Sequence, residues 1–280
     1  MSIREFVLTE GKTFNKRFEK KYLLTKERVT DLFSKNSPEE FVADHFNPNT
    51  EYTLIENTYF DSPELDSYNQ SMDKNPKRKK LRIRSYAQDS KKEKFLFIEI
   101  KSKKDKATSK KRIVFMREWL KEFLENGNCN MASLYELNAG KNKKYVLNTF
   151  NDIHNLIHNL GYRPILRSSY KRFAFRLNDD DTVRVTVDSD LNFHPLVSFE
   201  KPSKEYTKTF GKEQVIVEVK YQEKASLERV EDLLGFVERP SGFSKYCYGI
   251  SNSYNKTKMI PLSLNLGENA FSFLKLVSYN

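Results

Sequence analysis

Hydrophobic and polar positions alternate with a period of two in seven stretches of this chain, and in each stretch the polar set carries charge. LRIRSY sets Arg82, Arg84 and Tyr86 against Leu81 and Ile83. FIEIKSK sets Glu99, Lys101 and Lys103 against Ile98 and Ile100, and VIVEVKY sets Glu218 and Lys220 against Val215, Val217 and Val219. RFEKKY aligns Arg17, Glu19 and Lys21; SKKRIV aligns Lys110 with Arg112; YKRFAFR offers Arg172 and Arg176; VRVTVD aligns Arg184, Thr186 and Asp188. Period-two alternation is the signature of a strand with two distinct faces. One sheet with one charged face accounts for all seven.

The elements between follow from the same pattern. The first strand is predicted over 14–24, with Thr25 as an N-cap for a helix carrying Val29, Leu32 and Phe33 until Pro38 closes it. A strand over 52–60 ends in the turn Asp61-Ser62-Pro63, and helical spacing resumes at Leu65 and Tyr68. Residues 72–80 read as a basic loop. Polar turns at 87–94 and 103–108 make LRIRSY, FIEIKSK and SKKRIV three consecutive antiparallel strands. Helices are predicted over 117–126, ended by Gly127, and over 146–160, ended by Gly161. Strands over 163–177 and 183–187 flank Asn178 to Asp181, an acidic run that lacks the ligand spacing of a calcium loop and reads as a turn. The strand 215–221, a helix over 226–237 and a loop holding Pro240, Gly242 and Gly249 complete the pattern. The fold class is α+β: one domain over 14–255, a polar arm at 1–13, and an unassigned extension at 256–280.

Helices are expected on the outside, over the apolar strand faces. Unpaired charges cannot be buried there without a cost of several kcal/mol, so the charged faces must meet water or one another. A sheet closed on itself would line a wet channel with them; an open sheet would expose them on one side.

Composition narrows the partners. The formal charge of +11 and pI near 9.3 favour an anion: nucleic acid, acidic lipid or a compact polyphosphate. Cys129 and Cys247 are the only cysteines and have no metal-ligand spacing, which suits a reducing compartment. The charged N-terminus lacks the apolar core of a signal peptide, and no apolar run reaches the ~18 residues of a membrane span. A cytoplasmic protein without a transmembrane segment of its own is expected. Mixed signs on the strand faces add a second possibility. Glu218, Glu19 and Glu99 among so many cations could hold Mg2+ or Mn2+, whose remaining positions suit water and phosphate oxygens, while arginine forks and lysine point charges suit phosphate itself.

Other groupings carry less. His154 and His158 have the i, i+4 spacing of a metal pair but no third ligand, so a helix-surface pair is the simpler reading. Gly11-Lys12-Thr13 lacks the second glycine of a phosphate-binding P-loop. Tyr59, Tyr68 and Tyr86 could stack on adenine or simply belong to the core. Glycine-rich and exposed aromatic motifs of single-strand RNA binders are missing, and no DNA partner is expected.

RFEKKY, TYFDS with Tyr68 after it, LRIRSY, FIEIKSK, KKR, SYKRFAFR, VRVTVD, VEVKY and FSKYCYG stand in this order over about residues 14–250. The ordered set resembles the VTC domain, the polyphosphate polymerase domain of the vacuolar transporter chaperone complex, within the triphosphate tunnel metalloenzyme (CYTH-like) superfamily. That resemblance implies a closed antiparallel eight-stranded β-barrel, a tunnel with a charged interior and helices packed outside. It implies a metal-dependent polymerase that transfers the γ-phosphoryl group of ATP onto inorganic polyphosphate and releases ADP. The alternatives are a tunnel triphosphatase and a non-catalytic polyphosphate- or RNA-binding module. Residue by residue, it implies phosphate contacts from Lys21, Arg82, Arg84, Lys101, Lys110, Arg172, Arg184 and Lys245. Arg82, Arg84, Arg172, Arg184 and Lys245 would hold the nucleotide, and Glu218, with Glu19 and Glu99 as helpers, would hold the metal. Unlike full-length eukaryotic members, the sequence shows no SPX domain and no transmembrane segments. Any coupling to a membrane is expected to need a separate partner.

Overall fold

Residues 18–35, 40–44, 50–87, 94–105, 107–196, 208–235 and 238–253 are described by the computed structural model. The arm at 1–13 and the extension at 256–280 lie outside them. The strands are β1 (Phe18–Thr25), β2 (Phe41–Ala43), β3 (Thr53–Asp61), β4 (Lys77–Ala87), β5 (Phe95–Lys104), β6 (Ala107–Met116), β7 (Arg163–Leu177), β8 (Arg184–Pro195), β9 (Lys208–Thr209) and β10 (Gln214–Tyr221). They form one antiparallel sheet in the order β1-β10-β8-β7-β3-β4-β5-β6, with β2 added to β7 and β9 to β8. β7 has the predicted limits. β4 begins at Lys77, so half of the expected basic loop is strand, paired directly with the far end of β5.

The alternation predicted from sequence divides the two faces. On the outer face, Leu81, Ile83, Ile98, Ile100 and Ile113 pack under α3 (Leu120–Asn126), α4 (Met131–Leu137) and α5 (Lys143–His154). At the other end of the sheet, Tyr22, Val185, Val187, Val215, Val217 and Val219 pack under α1 (Lys26–Lys35) and α6 (Lys224–Leu233). The predicted helix over 117–126 opens as a 3-10 turn at Arg117–Trp119, and the one over 146–160 ends in a π turn at Asn155–Asn159. The rings of His154 and His158 are tilted 36° to one another with centroids 4.5 Å apart, and His158 Nε2 lies 2.9 Å from the Phe123 carbonyl. Among the described residues they have no third ligand.

Two expectations need correction. The eight-stranded path does not close by backbone pairing: no ladder joins β1 to β6 among the described residues. The sheet nevertheless curls far enough that Lys101 Nζ on β5 lies 4.0 Å from Glu19 Oε2 on β1. The facing edges explain the gap. Ala107–Lys110 of β6 and Phe18 and Glu19 of β1 are exposed, and polar, lysine-bearing edges resist strand-to-strand pairing.

The second correction concerns the helices, which are not all outside. The segment expected as a loop around Gly249 is a helix, α7 (Lys245–Ser253), and it packs on the inner, charged face. Tyr246 meets Tyr59 with ring centroids 5.2 Å apart, and Tyr59 shares its strand face with Asn57 and Asp61. Tyr59 and Tyr86 are accordingly core residues of an inner apolar cluster, with Tyr68, on α2 (Asp66–Met72), packed at its margin.

Candidate functional site

Cross-strand register assembles the inner face. Arg82 stands opposite Glu99, Glu99 opposite Arg112, Arg172 opposite Asp188, and Lys21 opposite Glu218. Opposite charges meet because each strand presents its charged residues at the same phase.

Two clusters result. In the first, Asp188 is fully buried and accepts forked bonds from Arg172, Nε to Oδ1 at 2.6 Å and Nη2 to Oδ2 at 2.7 Å, while Lys245 Nζ lies 2.6 Å from the same Oδ2. Beside it, Glu218 takes Lys220 at 2.5 Å and Lys21 at 4.0 Å, and Glu19 takes Lys21 at 2.8 Å. In the second cluster, Glu99 is buried against Arg82 at 2.7 Å, Lys110 at 2.8 Å and Arg112 at 3.2 Å. Arg84 completes this side. Its Nε donates to Asn57 Oδ1 at 2.9 Å and its Nη2 to the Tyr170 hydroxyl at 3.4 Å.

Electrostatics follow from that crowding. Burial opposes ionisation of Glu218, but Lys220, Lys21, Arg172 and Lys245 outweigh it and hold the carboxyl well below the usual range. Burial is likewise overcome at Asp188, which Arg172 and Lys245 bring down to about 2. Lys220 shows the opposite balance: desolvation dominates the pull of Glu218 and Glu19 and pushes its ammonium down to about 8.

Helix α7 is fixed from three directions. Cys247 N donates to Ser244 Oγ at 3.3 Å, and Lys80 Nζ reaches that same hydroxyl at 3.1 Å. The Tyr246 hydroxyl donates to buried Asp61, which also accepts the backbone N–H groups of Ser62, Ser67 and Tyr68. Gly249 lets the helix touch the sheet, since a Cβ there would lie 2.4 Å from Leu166 Cδ2 and 2.7 Å from Phe193 Cδ1. This anchoring aims Lys245 at Asp188.

The structure thus brings Lys21, Arg82, Arg84, Lys101, Lys110, Arg172 and Lys245 onto one face with Glu19, Glu99 and Glu218. Arg184 is on the same face but lies toward the start of β8, where its Nε meets Asp44 Oδ2 at 2.8 Å. Glu99 sits apart from Glu19 and Glu218, within its own ring of cations. No cluster of three or more metal-type side chains occurs among the described residues. Sequence reasoning passed over Asp188, Lys220 and Arg112 as site members. The alternation had already put all three on the charged face, and their central place follows from register.

A family model described as "VTC domain" matches residues 16–254. The chain belongs to the VTC-domain family. A curated relative, vacuolar transporter chaperone complex subunit 2 of Saccharomyces cerevisiae (strain ATCC 204508 / S288c), is 31% identical over 160 residues, covering 53% of this chain and 19% of that protein. This VTC-domain chain therefore spans about a fifth of the length of the curated relative it matches. A solved structure titled "Structure of PH1819 protein from Pyrococcus Horikoshii OT3" aligns at TM-score 0.44 and 14% identity, over 83% of this chain and 97% of its own. No helix among the described residues is long and apolar enough to cross a membrane.

Proposed function

We propose that this VTC-domain chain is a polyphosphate polymerase that moves the γ-phosphoryl group of ATP onto the end of an inorganic polyphosphate chain and releases ADP. One observation carries the reading. On the inner face, cations outnumber carboxylates, and each of Glu19, Glu99, Asp188 and Glu218 is shared by at least two cations. A face with surplus, preorganised positive charge is complementary to a chain of phosphates.

The reaction breaks the bond between the γ-phosphorus and the β,γ-bridging oxygen and forms one to a terminal oxygen of the acceptor. The acceptor is itself a phosphate, so no side-chain nucleophile is required. What the protein supplies is alignment and neutralisation of charge. Arg172, Lys245 and Arg184 would hold phosphates from one cluster, and Arg82, Arg84 and Lys110 from the other. Lys21 and Lys101, from β1 and β5, would grip the same chain from both sides of the open seam and complete a tunnel around it.

Glu218 and Glu19, diagonal neighbours across the β1–β10 pair, fit Mg2+ or Mn2+ as a two-carboxylate set, because such ions keep several positions for water and phosphate oxygens. When bound, the ion would neutralise charge on the transferring phosphoryl group. Glu99, engaged by Arg82, Lys110 and Arg112, serves better as an anchor for those cations.

Incubation with ATP and Mn2+, following ADP release and polymer on a gel, tests the proposal with Glu218→Gln as control. Polymer from the wild type alone is the expected result. Orthophosphate without polymer would point instead to a triphosphatase, and neither product with tight polyphosphate binding to a non-catalytic module.

A further inference from the structure

The far ends of β4 and β5 pair like charges with like. Lys77 stands opposite Lys104, Arg78 opposite Lys103, and Lys80 opposite Lys101, which in turn faces Lys110 on β6. Like charges directly opposite one another destabilise a sheet. Deeper on the inner face, Glu19, Glu99, Asp188 and Glu218 pair with most of the cations, and Arg84 and Lys80 bond to neutral side chains; among the described residues Lys77, Arg78, Lys103 and Lys104 have no ion pair, and the Arg78 side chain donates to the Asn75 carbonyl at 2.9 Å. A ribbon that keeps unneutralised cations in register is built for something outside the protein.

Phase says where it leads. Arg78 shares its strand face with Lys80, Arg82 and Arg84, and Lys103 shares its face with Lys101 and Glu99. At about 3.3 Å per residue, the row from Arg84 to Arg78 extends the charged face by roughly 20 Å, from the buried Arg84 to the half-buried Arg78. A globular anion would be met by a patch; a row continuous with the site fits a linear polyanion that has one end in the site.

We infer that the paired ends of β4 and β5 form an exit track that holds an inorganic polyphosphate chain after it leaves the site, so that Arg78 and Lys103 set affinity for long chains and the length to which products grow. The inference rests on the polyphosphate reading above and adds the route of the product.

Its test is a comparison of chain lengths. The wild type and the double variant Arg78→Ala/Lys103→Ala are titrated with tripolyphosphate and with long-chain polyphosphate at several salt concentrations. Anionic vesicles of phosphatidylserine and phosphatidylcholine are run in parallel. The variant should bind long chains at least about tenfold more weakly, with a shallower salt dependence, while tripolyphosphate affinity changes by less than about twofold. Its melting temperature should hold or rise, because repulsion across the ladder is relieved. Long-chain affinity equal to the wild type's, or an equal loss for both lengths, would overturn the track. Loss of vesicle binding alone would assign the ribbon to a membrane surface and overturn it too. If the wild type bound neither phosphate, the polyphosphate reading itself would fall; normal tripolyphosphate binding with an unaffected double variant would remove only the track.

Discussion

Asp188→Asn keeps the shape of the side chain and removes the charge on which one half of the site converges. The carboxylate is fully buried, bonded twice by Arg172 and once by Lys245. Its pKa, raised by burial but brought down to about 2 in the folded protein by Arg172 and Lys245, against ~3.9 in an unfolded chain, corresponds to roughly 2–3 kcal/mol of stability at neutral pH. Breaking a buried ion pair by removing one partner can reach about 3–5 kcal/mol, so a loss of about 2–4 kcal/mol is expected from urea unfolding at pH 7. The pH dependence has a definite sign. Because the folded pKa is depressed, the contribution is present above the unfolded value of ~3.9 and disappears as pH falls through about 2. Wild type and variant should therefore converge in acid. Loss of Asp188 also leaves Arg172 and Lys245 without their shared carboxylate, so tripolyphosphate should raise the melting temperature of the variant more than that of the wild type. Equal stability of the two proteins at pH 7, or a difference that persists unchanged at low pH, would refute the reasoning.

Gly249→Ala would drive a methyl group into Leu166 and Phe193, costing about 1–3 kcal/mol in denaturant unfolding and weakening phosphate binding by shifting Lys245. Lys220, at about 8, loses its proton within an accessible pH range. Tripolyphosphate affinity measured by calorimetry should fall as pH rises from 7 to 9, by up to about tenfold per unit above the pKa, whereas Lys220→Arg should flatten the profile. A wild-type profile as flat as the variant's would remove Lys220 from the phosphate site.

Much of this was legible from alternation alone. β7 could be bounded at Arg163 and Leu177, and the charged phase of each strand is fixed once its apolar phase is known. What escaped depends on how strands sit against one another. Asp188 becomes the centre of a cluster only because β7 and β8 pair in a register that puts Arg172 opposite it, and that register involves a shift between Ser169 and Lys171. Helix α7 gave no local sign, since KYCYGISNS is rich in aromatic and turn-forming residues and contains a glycine that lowers helix propensity. It forms because Tyr246, Gly249 and Ile250 find a fitted surface on the sheet. The short helix α4 (MASLYEL) was missed for want of length, although Asn130 caps it through Ser133 N at 3.1 Å. Closure of the sheet was the furthest from sequence, being set by curvature and edge chemistry rather than by any one strand.

The central claim is that the inner face of the sheet binds a chain of phosphates through both clusters. Calorimetric titration of tripolyphosphate at low salt into the wild type, Arg82→Ala and Lys245→Ala tests it most directly, since the two substitutions fall in different clusters and neither lies in the outer cores. Each variant should lose at least about tenfold in affinity while keeping a cooperative unfolding transition. Wild-type affinity in both would contradict the account.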